Sequence, residues 1–134
     1  MEKEMLYEGK QNASSINLIE FNPQGAKADI SLAGMVNGMV TGLIITTHNV
    51  LMKLDTTTEF SIKSIIFSNG EPVVVMGKGT GGVFDTNLNK KIEEDLTFQT
   101  PSQRLGYLNT TKGRSEGLFN LGTGEYSFKV YAIK

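Results

Sequence analysis

The sequence has no cysteine, no tryptophan, one histidine and three prolines in 134 residues. Without cysteine there is no disulfide framework, no thiolate metal site and no cysteine nucleophile. A single histidine excludes the multi-histidine metal sites. Long apolar runs are also missing. The densest stretches, Leu43-Ile44-Ile45, Ile65-Ile66-Phe67 and Val73-Val74-Val75-Met76, fall far short of the roughly 18 residues of a spanning helix. The N-terminus Met1-Glu2-Lys3-Glu4-Met5-Leu6-Tyr7 carries no signal-peptide pattern, so a cytoplasmic protein is expected, with no membrane partner. No charge of one sign dominates: 13 Lys+Arg against 14 Asp+Glu leave a net charge of −1. Only two of the cations are arginines, Arg104 and Arg114, and Glu116 and Glu125 interrupt the group Lys112, Arg114 and Lys129. That argues against a nucleic-acid partner, which needs clustered positive charge.

What remains is a globular composition, 39% hydrophobic and 20% charged, in a chain long enough for one core. A single domain over residues 1–134 is expected. Fifteen glycines are spread through the chain, and Thr, Val, Ile, Phe and Tyr dominate between them. This is the signature of short strands broken by turns. No segment of 12 or more residues sustains a helical period. Asn22-Pro23-Gln24-Gly25, Ser68-Asn69-Gly70-Glu71, Asp85-Thr86-Asn87-Leu88-Asn89 and Gly122-Thr123-Gly124 read as turns, Asn-Gly being the strongest hairpin signal. Strands are predicted near 2–10, 14–22, 26–34, 39–47, 50–67, 72–84, 91–100, 104–109, 114–121 and 125–133, some of which must merge or break at bulges. About eight long antiparallel strands joined by hairpins form a meander. Closure of a meander removes its exposed edges. The expected fold is all-β, an eight-stranded antiparallel up-and-down barrel. Gly34, Gly38 and Gly42, four residues apart, are expected on one face of a strand.

Alternation assigns the inward faces. Tyr126, Phe128, Val130 and Ala132 share one face of the last strand, and Phe60, Ile62 and Ile66 share one before the Asn-Gly turn. Ile92, Leu96 and Phe98 do so in the seventh, which turns Glu94 inward with them. In the second, Ile16 and Leu18 bring Glu20. A carboxylate on an apolar barrel wall suits proton transfer, so Glu94 is the candidate catalytic residue. The rest of Lys90-Lys91-Ile92-Glu93-Glu94-Asp95 reads as a solvated charge cluster. Glu20, Met52, Leu54, Phe98, Tyr126 and Phe128 are candidate ligand-binding residues. His48, in Thr46-Thr47-His48-Asn49, reads as a strand-end or loop histidine. Gly77-Lys78-Gly79-Thr80-Gly81-Gly82 has dinucleotide-type glycine spacing but no helix pattern after it, so it reads as a barrel corner and implies no cofactor.

Gly77-x-Gly79-x-Gly81-Gly82-x-Phe84 resembles the glycine-rich strand of the allene oxide cyclase and dirigent barrels. Leu6-Tyr7-Glu8-Gly9-Lys10, Leu105-x-x-Leu108-Asn109 and Gly124-x-Tyr126-x-x-Lys129-Val130-Tyr131-x-x-Lys134 are similar to small uncharacterised prokaryotic proteins with that barrel. The likeness covers about half of the chain and implies an eight-stranded barrel, often trimeric, with an apolar cavity that in the plant enzymes steers cyclisation or coupling. Two functions follow. One is binding of an apolar small molecule inside the barrel, with an isomerase or cyclase variant that uses Glu94. The other is a filled, ligand-free barrel acting as an interaction module. A homo-oligomer, dimer or trimer, is expected because alternation turns Ile65, Phe67, Tyr131 and Ile133 outward.

Overall fold

A computed structural model describes residues 4–133, so Glu2 and Lys3 of the expected first strand lie outside the described residues. Eight strands, β1 (Glu4–Asn22), β2 (Gly25–Gly38), β3 (Gly42–Lys53), β4 (Thr58–Ser68), β5 (Glu71–Gly81), β6 (Asn89–Gln99), β7 (Lys112–Asn120) and β8 (Glu125–Ile133), run in chain order. They form a closed barrel in which every strand is antiparallel to its neighbours and β8 returns to β1. The expected meander barrel is the observed fold.

The turns explain the order. Asn69 and Gly70 adopt φ of 51° and 80°, as a two-residue turn between Ser68 and Glu71 requires. The Asn22 side chain accepts from the Gln24 N–H at 2.8 Å and closes the Pro23-Gln24 turn. Three expectations are corrected. Segments 2–10 and 14–22 are one strand, because β-bulges near Ser14 and Ile19 absorb the break. Segment 50–67 is two strands. Asp55 Oδ1 accepts from the Thr57 N–H at 3.0 Å and from its hydroxyl at 2.6 Å, and Thr56 takes φ of 72°, so a threonine-rich run that reads as strand is a turn. Segment 104–109 contains no strand. Gly106–Thr110 is a 3-10 turn, held where the Asn109 side chain bonds both backbone groups of Thr100, at 2.8 and 3.0 Å.

That turn closes one end of the barrel. Leu105 and Leu108 are buried in the core cluster with Leu6, Val40, Ile66 and Val73. At the other end β1 outruns its partner: β8 pairs with it only as far as Asn12, and residues 15–22 pair with β2 alone. The protein is therefore a barrel packed at one end and open at the other.

Glycine sets how closely the strands approach. Gly34 and Gly38 lie on β2 and Gly42 begins β3, so the three do not share a strand as expected. A Cβ on Gly34 would fall 1.9 Å from the Lys10 carbonyl oxygen of β1. Gly34→Ala must therefore move backbone, and a loss of about 1–3 kcal/mol in urea unfolding is expected. Gly82 is the control, because an added Cβ there would meet nothing within 4 Å. Gly82→Ala should stay within about 0.5 kcal/mol of wild type.

Candidate functional site

The inward face of β5 changes character along its length. Val73 and Val75 fill the core, and then three alternate positions are glycine: Gly77, Gly79 and Gly81. Each leaves room for a larger side chain. A Cβ on Gly77 would collide with Leu96, on Gly79 with Glu94 and Phe60, and on Gly81 with Thr58 and Lys90. On β7 Gly117 does the same for Tyr126, whose ring and hydroxyl would lie 2.5 and 2.8 Å from an added Cβ. The alternate glycines of β5 thus make space inside the barrel for the side chains around them.

Glu94 occupies part of that space. It is only 3% exposed, on the inward face of β6. The Tyr126 hydroxyl donates to its Oε1 at 2.8 Å, and Nε2 of His48, across the barrel on β3, lies 3.4 Å from its Oε2. A buried carboxylate needs such partners, because desolvation penalises its charged form. Phe60 and Tyr126 meet the His48 ring edge-on, at 5.1 and 5.9 Å between centroids. The ring's hydrogen bond uses Nε2, which leaves Nδ1 without a partner among the described residues. A second chain lies beside this group: Gln11 Nε2 donates to Thr46 Oγ1 at 2.8 Å, and Thr46 and Ser64 share a hydrogen bond of 2.7 Å. Both chains, with Tyr7 and Ser115, line a void of about 20 Å³, room for one water.

Above this belt the open end holds a cavity of about 210 Å³. His48 and Tyr126 border both the cavity and the void below, so they are its floor, with Glu94 behind them. Phe60, Phe84 and Phe119 line the walls, and Ile16 and Leu18 of the overhanging β1 form an exposed rim. A broader trough of about 990 Å³ crosses the outer face of β1, β8 and β7 among Glu8, Lys10, Glu116 and Lys129. Met35 and Leu118 lie in it beside these charges.

The candidate residues fall into three groups. Glu94 and Tyr126 meet at the floor, and Met52 is half-buried on the cavity wall. Phe128 stacks on Tyr126 with ring centroids 5.0 Å apart, and Phe98 packs edge-on to Tyr7, so both support the floor from within the core. Glu20 and Leu54 lie elsewhere. Glu20 follows the second β1 bulge, is exposed and pairs with Lys27 at 3.5 Å. Leu54 is 77% exposed in the β3–β4 turn, where the sequence pattern predicts strand.

His48, Lys90 and Thr58 join the site without being expected there. His48 is a buried mid-strand residue, a correction to its reading as a loop histidine, and the signal is present: Ile44, Thr46 and His48 alternate inward once the strand is carried past residue 47. Lys90 leaves the solvated charge cluster for the interior, because Gly81, diagonally across on β5, makes room. In the outward-facing remainder, Arg114 is held by Glu93 and Asp95, at 2.8 and 3.1 Å. Among the described residues no cluster of acidic or histidine side chains could hold a metal ion.

Similarity to known proteins is one of fold. No family model matches the chain, and no curated protein matches it. A protein with unknown function from Clostridium acetobutylicum shares 17% identity over 100% of both chains, with a TM-score of 0.87. A beta-barrel like protein from Acinetobacter baumannii shares 14% identity over 99% of this chain and 96% of its own, with a TM-score of 0.84. An enzyme from Penicillium herquei shares 16% over 97% and 93%, with a TM-score of 0.73. The small closed barrel is common to them.

Burial holds two tyrosines neutral. Desolvation pushes the hydroxyls of Tyr7 and Tyr126 well above the ordinary tyrosine range, and the nearby Glu94 charge pushes in the same direction. A raised acid loses stability to the unfolded chain, which ionises first. Stability from both groups is therefore intact below about pH 10 and falls above it, by up to about 1.4 kcal/mol per pH unit for each. Tyrosinate absorbance of the native protein should omit these two residues until unfolding. Tyr126→Phe should flatten the alkaline slope of the urea midpoint, and an unchanged slope would place that proton elsewhere.

Proposed function

We propose that the open end of the barrel binds an apolar small molecule, and that the floor beneath it transfers a proton, as in an isomerase or cyclase of the allene oxide cyclase-like type. The observation that supports this is the stacking of an apolar-walled cavity directly on the Tyr126–Glu94–His48 group. His48 and Tyr126 touch the bound molecule. Glu94 acts through them: its carboxylate holds the Nε2 side of the imidazole and leaves Nδ1 to exchange a proton with the ligand. Tyr126 keeps its one proton, spent on Glu94 Oε1, and so fixes the carboxylate beneath the imidazole. One neighbour of this fold, from Penicillium herquei, is described as an enzyme; that supports the reading as an analogy of fold.

The volume of about 210 Å³ suits one or two fused rings, given that about 150 Å³ accommodates benzene. Naphthalene should bind saturably at one site, and Ala28→Phe, which fills the cavity from β2, should abolish it. Absence of saturable binding in the wild type would refute the binding reading. The proton-transfer reading is tested with 5-nitrobenzisoxazole, whose ring opens when a base removes its C–H proton. Saturable ring opening is expected, reduced roughly 100-fold in Glu94→Gln and in His48→Gln. Full turnover in Glu94→Gln would remove the acid–base role and leave binding intact.

A separate observation favours self-association as an additional property. Met35, Leu43, Phe67 and Pro72 are cross-strand neighbours on the outer face of β2 to β5, beside Ala33, Ile45, Ile65 and Val74. Several are substantially exposed, including Met35, Leu43, Ile45, Phe67 and Val74. A contiguous apolar face of this kind suits a subunit contact. Sedimentation at micromolar concentration should show an oligomer that Ile45→Lys dissociates; a wild-type monomer would contradict it.

A further inference from the structure

Lys90 is a lysine without a counter-ion in an apolar wall. It is 3% exposed and lines the cavity, and its ammonium lies 4.2 Å from the centroid of the Phe84 ring. Nζ donates to two backbone carbonyls, those of Thr56 and of Gly82, the latter at 2.8 Å. Among the described residues no carboxylate pairs with it. An ammonium has three protons to donate, so one is left over. Desolvation lowers its pKa, which the more distant charge of Asp55 only partly opposes.

Thr58 stands beside it. Its side chain also lines the cavity, the residue is 6% exposed, and Oγ1 is a buried hydroxyl with no hydrogen-bond partner among the described residues. Such a group is costly to leave unmade. The hydroxyl and the lysine stem meet at Gly81, where an added Cβ would fall 2.4 Å from Thr58 Oγ1 and 2.8 Å from Lys90 Cδ. Stapling the β3–β4 turn to the β5–β6 loop accounts for two of the lysine's protons. It accounts for neither the missing counter-ion nor the orphaned hydroxyl.

We propose that Lys90 and Thr58 form an anion subsite on the cavity wall, and that the natural ligand is an apolar monoacid of about one or two rings, its carboxylate held by Nζ and Oγ1. This rests on the cavity being a binding site. It also orients the ligand. The carboxylate is drawn to Lys90, and the buried acid Glu94 behind the floor repels it from the other end. The apolar body is thereby laid against His48 and Tyr126.

The test compares 2-naphthoate with naphthalene, by fluorescence titration at one ionic strength and neutral pH. The wild type should bind 2-naphthoate at least 10-fold more tightly than naphthalene. Lys90→Met should remove that preference, so that the two probes bind within about 2-fold of each other. Thr58→Val, which keeps the shape and removes the hydroxyl, should cut the preference for naphthoate over naphthalene by about 3- to 10-fold. Should Lys90→Met fail to fold, Thr58→Val carries the comparison. Naphthalene binding as well as or better than naphthoate in the wild type would overturn the anion subsite while leaving the apolar cavity standing. So would an unchanged preference in the variants. Saturable binding of neither probe would overturn both.

Discussion

The structure is organised around one constraint, a carboxylate inside a closed barrel. Glu94 has been taken out of water, and its charge is tolerable only where the walls supply donors. Tyr126 and His48 do so from β8 and β3, strands on different sides of the interior. Packing then follows from that triad. Phe128 stacks beneath Tyr126, Phe60 meets the imidazole edge, and Gly79 and Gly117 stay bare because any side chain there would strike the acid or its phenol. An eight-stranded barrel is just wide enough to be filled by its own side chains. Here glycines on one wall are exchanged for large polar groups on the next.

The two ends divide the work. At the packed end Leu105 and Leu108, carried in on a short 3-10 turn, seal the core and exclude water from below. At the open end β1 and β2 run on past β8, and their inward residues Ile16, Leu18 and Ile30 border a cavity instead of a core. The acid thus has a dry side and an accessible side, with His48 and Tyr126 between it and whatever enters. Low dielectric strengthens each of these polar contacts.

Alternation makes much of this legible in the sequence. The period of two in Ile92-Glu93-Glu94-Asp95-Leu96 turns Glu94 inward, and the same period places Tyr126 and Phe128 together on one face. The Asn-Gly and Pro-Gln turns fix two hairpins. What could not be read comes from features whose period is broken or whose partner is distant. The bulge before Glu20 reverses its face and sends it to solvent. The Asp55-Thr57 turn is built from β-branched residues that resemble strand, and so Leu54 is misplaced by pattern alone. His48 lies one residue beyond the strand end that the pattern suggests. Its partnership with Glu94 spans 46 residues and depends on the curvature of the closed sheet, which no local pattern encodes.

Because the chain has one histidine, its floor can be observed directly. The imidazole of ¹⁵N-histidine-labelled protein gives resonances from His48 alone. Addition of naphthalene should shift the Nδ1 resonance, with half-saturation equal to that of binding, while Nε2 stays hydrogen-bonded to Glu94. Binding that leaves both ring nitrogens unmoved would contradict a ligand site built over the Tyr126–Glu94–His48 floor.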